Sequence, residues 1–260
     1  MKKKFFQNEK FQGYFFPILY FVLSIAIVVT GCIIFKNKYY TSILVEGVSM
    51  QPTLVGGGYS GQSNKYLRSH YGYADLHKSA VNRLKRFDVC VTYYPSSWVG
   101  DEKTSIIKRV WGFPGETLNL HYAESKFTFT VTNGNKFVCQ YEAPIVDITR
   151  TYSAEYYEGT ALRYTTVEMS FHAAKFNVGN KTFYTNTSEK RDFSKTLGKD
   201  EYFVMGDNWG HSTDSYTKRD SEDKLTKKYL QGRAICINAY ATSKNDQAVN
   251  IKKIKPRYNF

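Results

Sequence analysis

The feature that most constrains this chain is a long uncharged segment near its amino end. No charged residue occurs from Phe11 to Phe35, and almost every residue from Tyr14 onward in that segment is apolar. At 1.5 Å per residue, the part that begins at Tyr14 forms about 33 Å of helix, enough to cross a hydrocarbon core of about 30 Å. A cleavable signal peptide has a shorter apolar core and a small-residue cleavage site, which Phe35-Lys36 does not offer. We therefore predict a retained membrane anchor over residues 14–35.

Flanking charge predicts the orientation of this anchor. Lysines precede and follow the apolar segment, with more of them before it: Lys2, Lys3, Lys4 and Lys10 precede it, and Lys36 and Lys38 follow it. Positive charge favours the cytoplasmic side of a membrane. We expect a single-pass protein of the cell membrane in which residues 1–13 are cytoplasmic and residues 36–260 form an extracytoplasmic domain.

The body of the chain is predicted to be mostly β. The sequence contains 22 Tyr and 18 Phe, residue types that suit pleated, half-buried surfaces. Seven short apolar or alternating runs have the length of strands: Thr41–Val45, Asp88–Tyr93, Thr117–His121, Lys126–Val131, Lys136–Tyr141, Tyr202–Met205 and Ala234–Tyr240. The pair Asn133-Gly134 predicts a hairpin with a type I′ turn. A short helix is expected near Ser79–Leu84.

Charge and cysteine content limit the classes of partner and cofactor. The formal net charge of +13 favours anionic partners such as acidic lipid headgroups, a cell-wall polymer or nucleic acid. The four cysteines show no C-x-x-C pair and no Cys/His ligand spacing, so neither a disulfide scaffold nor a zinc site is expected. The sequence leaves open the redox state of Cys90, Cys139 and Cys236.

Three short segments contain residue types that can carry out chemistry. They read VEGVSMQPTL from Val45, SIIKRVWGFPG from Ser105 and VMGDNWGHSTDS from Val204. Taken alone, each has an ordinary explanation. Ser49 is typical of a turn, Lys108 is typical of a strand edge, and Gly206-Asp207-Asn208 favours a turn.

Together, the three segments resemble the sequence boxes of bacterial type I signal peptidases. The S-M-x-P-T-L box occurs as Ser49–Leu54, the I-K-R-V-x-G-x-P-G box as Ile107–Gly115, and the G-D-N-x-x-x-S-x-D-S box as Gly206–Ser215. A weaker R-G-D box survives at Arg86–Val91. The resemblance implies a mostly β catalytic domain of the signal-peptidase/LexA-like type. It also implies a second β-rich lobe over 117–200, which we expect to lie away from the catalytic residues.

The resemblance implies a Ser/Lys serine peptidase without metal or cofactor. A serine hydroxyl needs an adjacent base, and a lysine serves as that base only when burial lowers its pKa. By resemblance, Ser49 is the nucleophile and Lys108 is the base, with the Ser49 backbone N–H in the oxyanion hole. Supporting roles fall on four further residues. Ser212 orients the lysine amine by a hydrogen bond, Asp207 pairs with Arg109, and Asp214 braces its turn.

This sequence departs from the family pattern at several positions. The family commonly has arginine where this chain has Trp209 and Tyr216, which puts a loop ion pair in doubt; Lys218 or Arg219 are candidate substitutes. Two smaller departures are Phe87, in place of the glycine of R-G-D, and Glu116, in place of an aspartate. Some family members also carry a serine hydroxyl two residues before the nucleophile, and this chain has Gly47 there.

Substrate binding is predicted along two strands that flank the nucleophile and the lysine. A signal peptide would add to them by main-chain hydrogen bonds, with small side chains at the −1 and −3 positions in shallow pockets. The expected substrate-binding residues are Ile43, Val45, Gly47, Met50 and Ile107. Contact with the lipid bilayer and its anionic headgroups is expected through basic residues and through three apolar side chains, Met50, Trp98 and Trp111.

The function predicted from the sequence is a membrane-bound serine endopeptidase that removes signal peptides from exported preproteins at the outer membrane face. One alternative keeps the Ser/Lys pair but restricts it to few preproteins, such as pilins. A self-cleaving LexA-like repressor is disfavoured by the anchor and by the lack of a DNA-binding domain. A basic β-domain that only binds lipid or polymer does not need Ser49, Lys108 and Ser212 together, and no nucleic-acid recognition motif is found.

Overall fold

The computed structural model describes residues 9–59, 65–99, 104–244 and 247–259. The chain divides into two compact units, with the boundary between Thr41 and Ser42. In the first unit, helix α1 extends over Glu9–Tyr39. Within the described residues, its segment Gly13–Lys36 is the one helix long and apolar enough to span a membrane, and none of that segment is buried within the protein.

The second unit is built almost entirely from antiparallel strands. In chain order the strands are β1 (Tyr40–Leu44), β2 (Gly58–Tyr59), β3 (Tyr66–Leu67), β4 (Ser69–Asp75), β5 (Val89–Thr92), β6 (Ile106–Gly112), β7 (Glu116–Ala123), β8 (Lys126–Asn133), β9 (Lys136–Glu158), β10 (Ala161–Val178), β11 (Lys181–Asn186), β12 (Phe193–Thr196), β13 (Phe203–Met205), β14 (Leu230–Lys244) and β15 (Gln247–Asn259). The short helices are α2 (Lys78–Asn82), α3 (Ser96–Val99) and two 3-10 turns, Trp209–His211 and Lys227–Tyr229.

The strands form two sheets. The first has the order β1-β4-β14-β5-β6-β13, with β15 also paired to β14. The second has the order β11-β10-β9-β8-β7-β12, with β3 paired to β9 and β2 to β3. The mostly β fold is therefore confirmed, and each of the seven predicted runs overlaps a strand. The prediction covered only the start of β9 and missed β10, because most side chains of these long strands alternate between half-buried and exposed, which weakens the apolar signal.

The hairpin after β8 is present, but its turn differs from the prediction. Asn133 pairs with Lys136, and Gly134 has a positive φ of 55° whereas the asparagines beside it do not. A type I′ turn needs two positive φ values. That pattern occurs one hairpin earlier, where Glu124 and Ser125 have φ values of 51° and 60°. Asn-Gly therefore identified the position of a hairpin but not its turn type.

An aromatic cluster joins the two sheets. Trp111 of β6 is fully buried and makes edge-to-face contacts with Phe129 and Phe176, at centroid distances of 5.0 and 5.2 Å. Phe87 is buried in the same cluster, 5.1 Å from the Trp111 ring, although its φ of 67° is a conformation that favours glycine. The packing of its ring offsets the backbone strain, which explains how phenylalanine occupies the glycine position of the R-G-D box.

The expectation that three apolar side chains reach the lipid is wrong. Met50, Trp98 and Trp111 are all buried in the body of the protein. The Trp98 indole N–H donates to the Asp223 carbonyl at 3.0 Å, and Met50 packs with Ile43 in an aliphatic cluster. Burial of large apolar side chains in the core is more favourable than exposure, and the sequence pattern did not distinguish the two.

Close backbone packing between β4 and β14 yields a stability prediction. A Cβ at Gly72 would lie 2.0 Å from the Cys236 carbonyl oxygen, which cannot move without disturbing the ladder. We expect Gly72→Ala to lower the free energy of unfolding by about 2–4 kcal/mol. In Gly198→Ala the nearest atom is 3.7 Å away, so this control should change stability little in urea denaturation. Equal midpoints for the two variants would contradict the proposed crowding.

Candidate active site

Two elements bring Ser49 and Lys108 together. Ser49 lies in the turn that follows β1, and Lys108 lies on β6, where it pairs in register with Cys90 of β5. The Lys108 Nζ lies 2.5 Å from the Ser49 Oγ. Lys108 is only 4% exposed, while Ser49 is half-buried. The residues that the sequence nominated as nucleophile and base are thus in direct hydrogen-bond contact across 59 positions of sequence.

Burial changes the acid–base chemistry of the lysine. Desolvation lowers the pKa of Lys108 from 10.5 to about 8, while the charges of Asp214 and Asp207 oppose that shift and the charge of Arg191 adds to it. Taking an ammonium out of water penalises its charged form. A useful fraction of this amine is therefore neutral and able to accept a proton near neutral pH.

A cleft of about 620 Å³ opens onto the serine and the lysine. Its lining residues come from the end of β1 and the start of β6: Leu44, Val45, Glu46, Ser49, Met50, Thr104, Ser105, Ile106, Ile107 and Lys108. Three predicted substrate-binding residues, Val45, Met50 and Ile107, are among them. Ile43 is not; it packs into the aliphatic cluster. Gly47 lines a separate cavity of about 360 Å³ that shares Glu46 with the cleft.

Among the described residues, no further paired strand covers either side of this cleft. β1 is an edge strand of the first sheet as described. On β6, the short strand β13 pairs only with Arg109, Val110 and Gly112, so it does not cover the residues from Ile106 to Lys108. Open strand edges present main-chain donors and acceptors to an extended peptide.

The hydrogen bond expected from Ser212 to the lysine amine is absent. Ser212 is buried next to the site, but within the described part of the chain its Oγ has no hydrogen-bond partner. Gly206 explains the close packing here, since a Cβ at that position would lie 2.3 Å from both the Ser212 Oγ and the Ser49 carbonyl oxygen. The sequence motif brought the hydroxyl to the site without fixing its partner.

Two buried ion pairs support the loop that carries Ser212. In the first, Arg109 donates two hydrogen bonds to Asp207, at 2.8 and 2.5 Å, and a third to the Phe87 carbonyl at 2.7 Å. In the second, Arg191 donates to both carboxylate oxygens of Asp214, at 3.0 and 2.9 Å. Asp214 also accepts hydrogen bonds from the backbone N–H of Gly206 at 2.9 Å and of residues in its own turn.

Arg191 was missed in the sequence. The proposed substitutes for the missing loop arginines, Lys218 and Arg219, do not pair with Asp214: Lys218 bonds the Asp214 carbonyl through its backbone, and the Arg219 guanidinium lies over the Tyr216 ring. Arg191 lies outside every box, between β11 and β12. An arginine in the charged run Glu189-Lys190-Arg191-Asp192 gives no signal of burial.

Asn208 and Asn186 form a second set of contacts that the sequence did not reveal. The Asn208 backbone N–H donates to the Ser49 carbonyl at 3.0 Å, and its side-chain amide donates to the Val48 carbonyl at 3.0 Å. Asn186 of β11 donates to the Asn208 side chain at 2.9 Å and to the Asp207 carbonyl at 2.6 Å. Asn186 thus reaches the Ser49 turn through Asn208, and the Tyr152 hydroxyl donates directly to the Pro52 carbonyl in the loop that holds Ser49, at 2.9 Å. These contacts contradict the expected separation of the second lobe from the catalytic residues.

Comparison with known protein families identifies the class of this chain. Residues 18–238 match the family model described as signal peptidase, peptidase S26. The chain belongs to this family of serine endopeptidases, which cleave signal peptides from preproteins. Members of the family are membrane-anchored, and the apolar part of α1 fits such an anchor. No curated protein gives a significant match.

The shifted pKa of Lys108 gives a prediction about stability. Because the folded pKa of about 8 lies below the unfolded value, the unfolded chain binds the extra proton between about pH 8 and 10.5. The loss of folding stability caused by the buried ammonium is therefore complete below pH 8, and it disappears as the pH rises through 10.5. Lys108→Met, of similar length but uncharged, should stabilise the fold by up to about 3 kcal/mol at pH 7.

Thermal and urea unfolding at pH 7 and at pH 10.5 would check this. The exposed Lys136 provides the matched control, because Lys136→Met removes the same charge without relieving burial. A Lys108→Met midpoint that is equal to or below that of the parent at pH 7 would contradict the assigned cost.

Proposed function

We propose that this protein is a membrane-bound signal peptidase that works through a Ser49/Lys108 dyad and cleaves preproteins at the outer membrane face. The observation that carries the proposal is the 2.5 Å contact between a buried lysine amine and a serine hydroxyl at the floor of an open cleft. No other group is needed as base, because desolvation makes the amine a proton acceptor near neutral pH.

In the proposed reaction, the Ser49 Oγ attacks the carbonyl carbon of the scissile peptide bond while its proton passes to the Lys108 Nζ. The oxyanion accepts a hydrogen bond from the Ser49 backbone N–H. The C–N bond then breaks, and the Lys108 ammonium gives its proton to the departing amine. A water molecule attacks the acyl-enzyme, loses a proton to Lys108 and restores the Ser49 hydroxyl. Gly47 has no side-chain hydroxyl and adds no further oxyanion donor.

The substrate is proposed to bind as an extended strand in the cleft. The open backbone edges of β1 and of the start of β6 would pair with the signal peptide, and the side chains of Val45, Met50 and Ile107 would line the pockets for its small −1 and −3 residues. Because these pockets are built from core residues with little room to move, large side chains should be rejected.

The proposed membrane topology follows the charge distribution of the chain. Residues 1–13 are assigned to the cytoplasm, 14–35 to the membrane and 36–260 to the outer side, where Lys36 and Lys38 are close to the headgroups of acidic lipids. In this arrangement Ser49 is only 14 residues beyond Phe35, so the length of the chain limits how far the nucleophile can be from the membrane surface at which signal peptides end.

A cleavage assay in detergent tests the dyad. The full-length protein should cut a preprotein with an Ala-x-Ala site after the second alanine, as located by mass spectrometry. Ser49→Ala and Lys108→Ala should each reduce kcat by about 10³-fold or more. Ser170→Ala, an exposed serine of β10, should be fully active. A folded Lys108→Ala variant with parental activity would exclude the lysine base.

The rate should also depend on pH in a defined direction. Only neutral Lys108 accepts the serine proton, so kcat/KM should rise by about tenfold per pH unit below pH 8 and level off above it. Rates measured from pH 5 to 10, with unfolding monitored in parallel, check this. A rate that is constant from pH 5 to 8 would contradict a lysine base of this pKa.

A substitution in the cleft tests the substrate pockets. Ile107→Phe should narrow the cleft and reduce kcat/KM for an Ala-x-Ala preprotein by about tenfold or more. Val138→Phe, on an exposed part of β9, adds comparable bulk outside the cleft and should have no effect. Unchanged kinetics for a folded Ile107→Phe would place the substrate elsewhere.

A further inference from the structure

Arg191 lies in a connection between two strands of the second sheet, but its side chain packs against a loop of the first sheet. It lies between β11 and β12, yet its side chain is completely buried against the loop that follows β13. Besides its two bonds to Asp214, it donates to the Trp209 carbonyl at 2.6 Å, and its guanidinium lies 4.6 Å from the centre of the Tyr216 ring. Trp209 and Tyr216 stand at the two positions where the resemblance led us to expect arginine.

A chain of contacts leads from Arg191 to the reacting groups. Asp214, held by Arg191, accepts the Gly206 backbone N–H at 2.9 Å. Gly206 packs against the Ser49 carbonyl, and the backbone N–H of Asn208, two residues after Gly206, donates to that same carbonyl. The position of the serine turn therefore depends on the Asp214 loop, and that loop depends on a cation supplied by the second lobe.

The same ion pair affects the charge around Lys108. Among the charged groups near the amine, Asp214 favours the ammonium form most strongly, Asp207 favours it less, and Arg191 opposes it. Arg109 already neutralises Asp207, and the Tyr94 hydroxyl, next to Asp214, donates to the Thr213 carbonyl. Arg191 is therefore the cation whose removal leaves a buried carboxylate uncompensated, and a buried unpaired charge perturbs its neighbours strongly.

We propose that Arg191 is a positioning residue that the lobe 117–200 contributes to the active site: it anchors the Asp214 loop beneath Ser49 and balances the Asp214 charge so that Lys108 remains a base. The inference rests on the proposed Ser49/Lys108 dyad for its catalytic consequence. It also gives the lobe a specific task, since the lobe supplies the cation that the loop itself lacks.

The test compares charge with geometry at position 191. Arg191→Met should move the acid limb of the pH–rate profile upward by about one unit, because Asp214 is then unbalanced, and should reduce the rate at pH 7 by about tenfold. Arg191→Lys keeps the charge but loses the second nitrogen, Nη2, which bonds the Trp209 carbonyl, so it should lower kcat while the midpoint of the limb stays near the parental value. Arg163→Met, which removes an exposed arginine of the same lobe, should change neither.

Two further variants keep the test decisive if Arg191→Met fails to fold. Asp214→Asn should shift the midpoint of the acid limb to a lower pH than in the parent. Arg191→Met/Asp214→Asn buries no unpaired charge and should fold. Its midpoint should lie at a higher pH than that of Asp214→Asn. Identical midpoints for Asp214→Asn and the double variant, or a folded Arg191→Met with the parental midpoint, would overturn the charge-balancing role.

A direct readout separates this inference from the proposed function. The ¹³Cε resonance of Lys108, assigned by its loss in Lys108→Met, reports the pKa of the amine whether or not a preprotein is cut. Failure of the parent to cleave any preprotein would reject the proposed function alone. An amine pKa that does not rise in Arg191→Met, or in the double variant relative to Asp214→Asn, would reject the inference alone.

Discussion

The desolvation of one lysine amine beside a serine hydroxyl is the constraint that the packing and the ion pairs around this site have to accommodate. Lys108 is buried on β6, one strand from the edge of the first sheet, where it pairs in register with β5 and an aliphatic cluster lies nearby, so water stabilises its ammonium form poorly. This arrangement costs stability. The fold tolerates it because the Arg109–Asp207 and Arg191–Asp214 pairs neutralise the buried carboxylates around the site, which limits the unfavourable electrostatics to the lysine amine.

Pairing those charges requires both sheets. The Arg109–Asp207 pair joins β6 to the loop after β13, whereas the Arg191–Asp214 pair joins that loop to the connection between β11 and β12. The aromatic cluster around Trp111 holds the sheets in contact, and the Arg109 guanidinium lies 4.1 Å from the Phe183 ring of β11. The second lobe is therefore part of the support of the site, although no residue of it lines the cleft.

The departures from the family pattern are compensated by packing. Trp209 is fully buried, with its ring 4.9 Å from Phe127 of β8, and Tyr216 packs on the Arg191 guanidinium. Aromatic side chains thus fill the loop, while the cation comes from a distant part of the chain. Arg191 places a cation beside Asp214 although positions 209 and 216 hold aromatic residues, which explains how the loop has a paired aspartate without an arginine at either position.

The sequence by itself determined the apolar segment, the mostly β body and the nomination of Ser49 and Lys108, because period-2 alternation, segment length and short motifs are local properties. It also led to the Arg109–Asp207 contact through the family resemblance. Only the tertiary structure decided that Trp111 and Met50 are buried, that Ser212 lacks its expected bond and that Arg191 balances Asp214. Burial and ion pairing depend on contacts between residues far apart in the chain, and such contacts exist only once the two sheets have packed together.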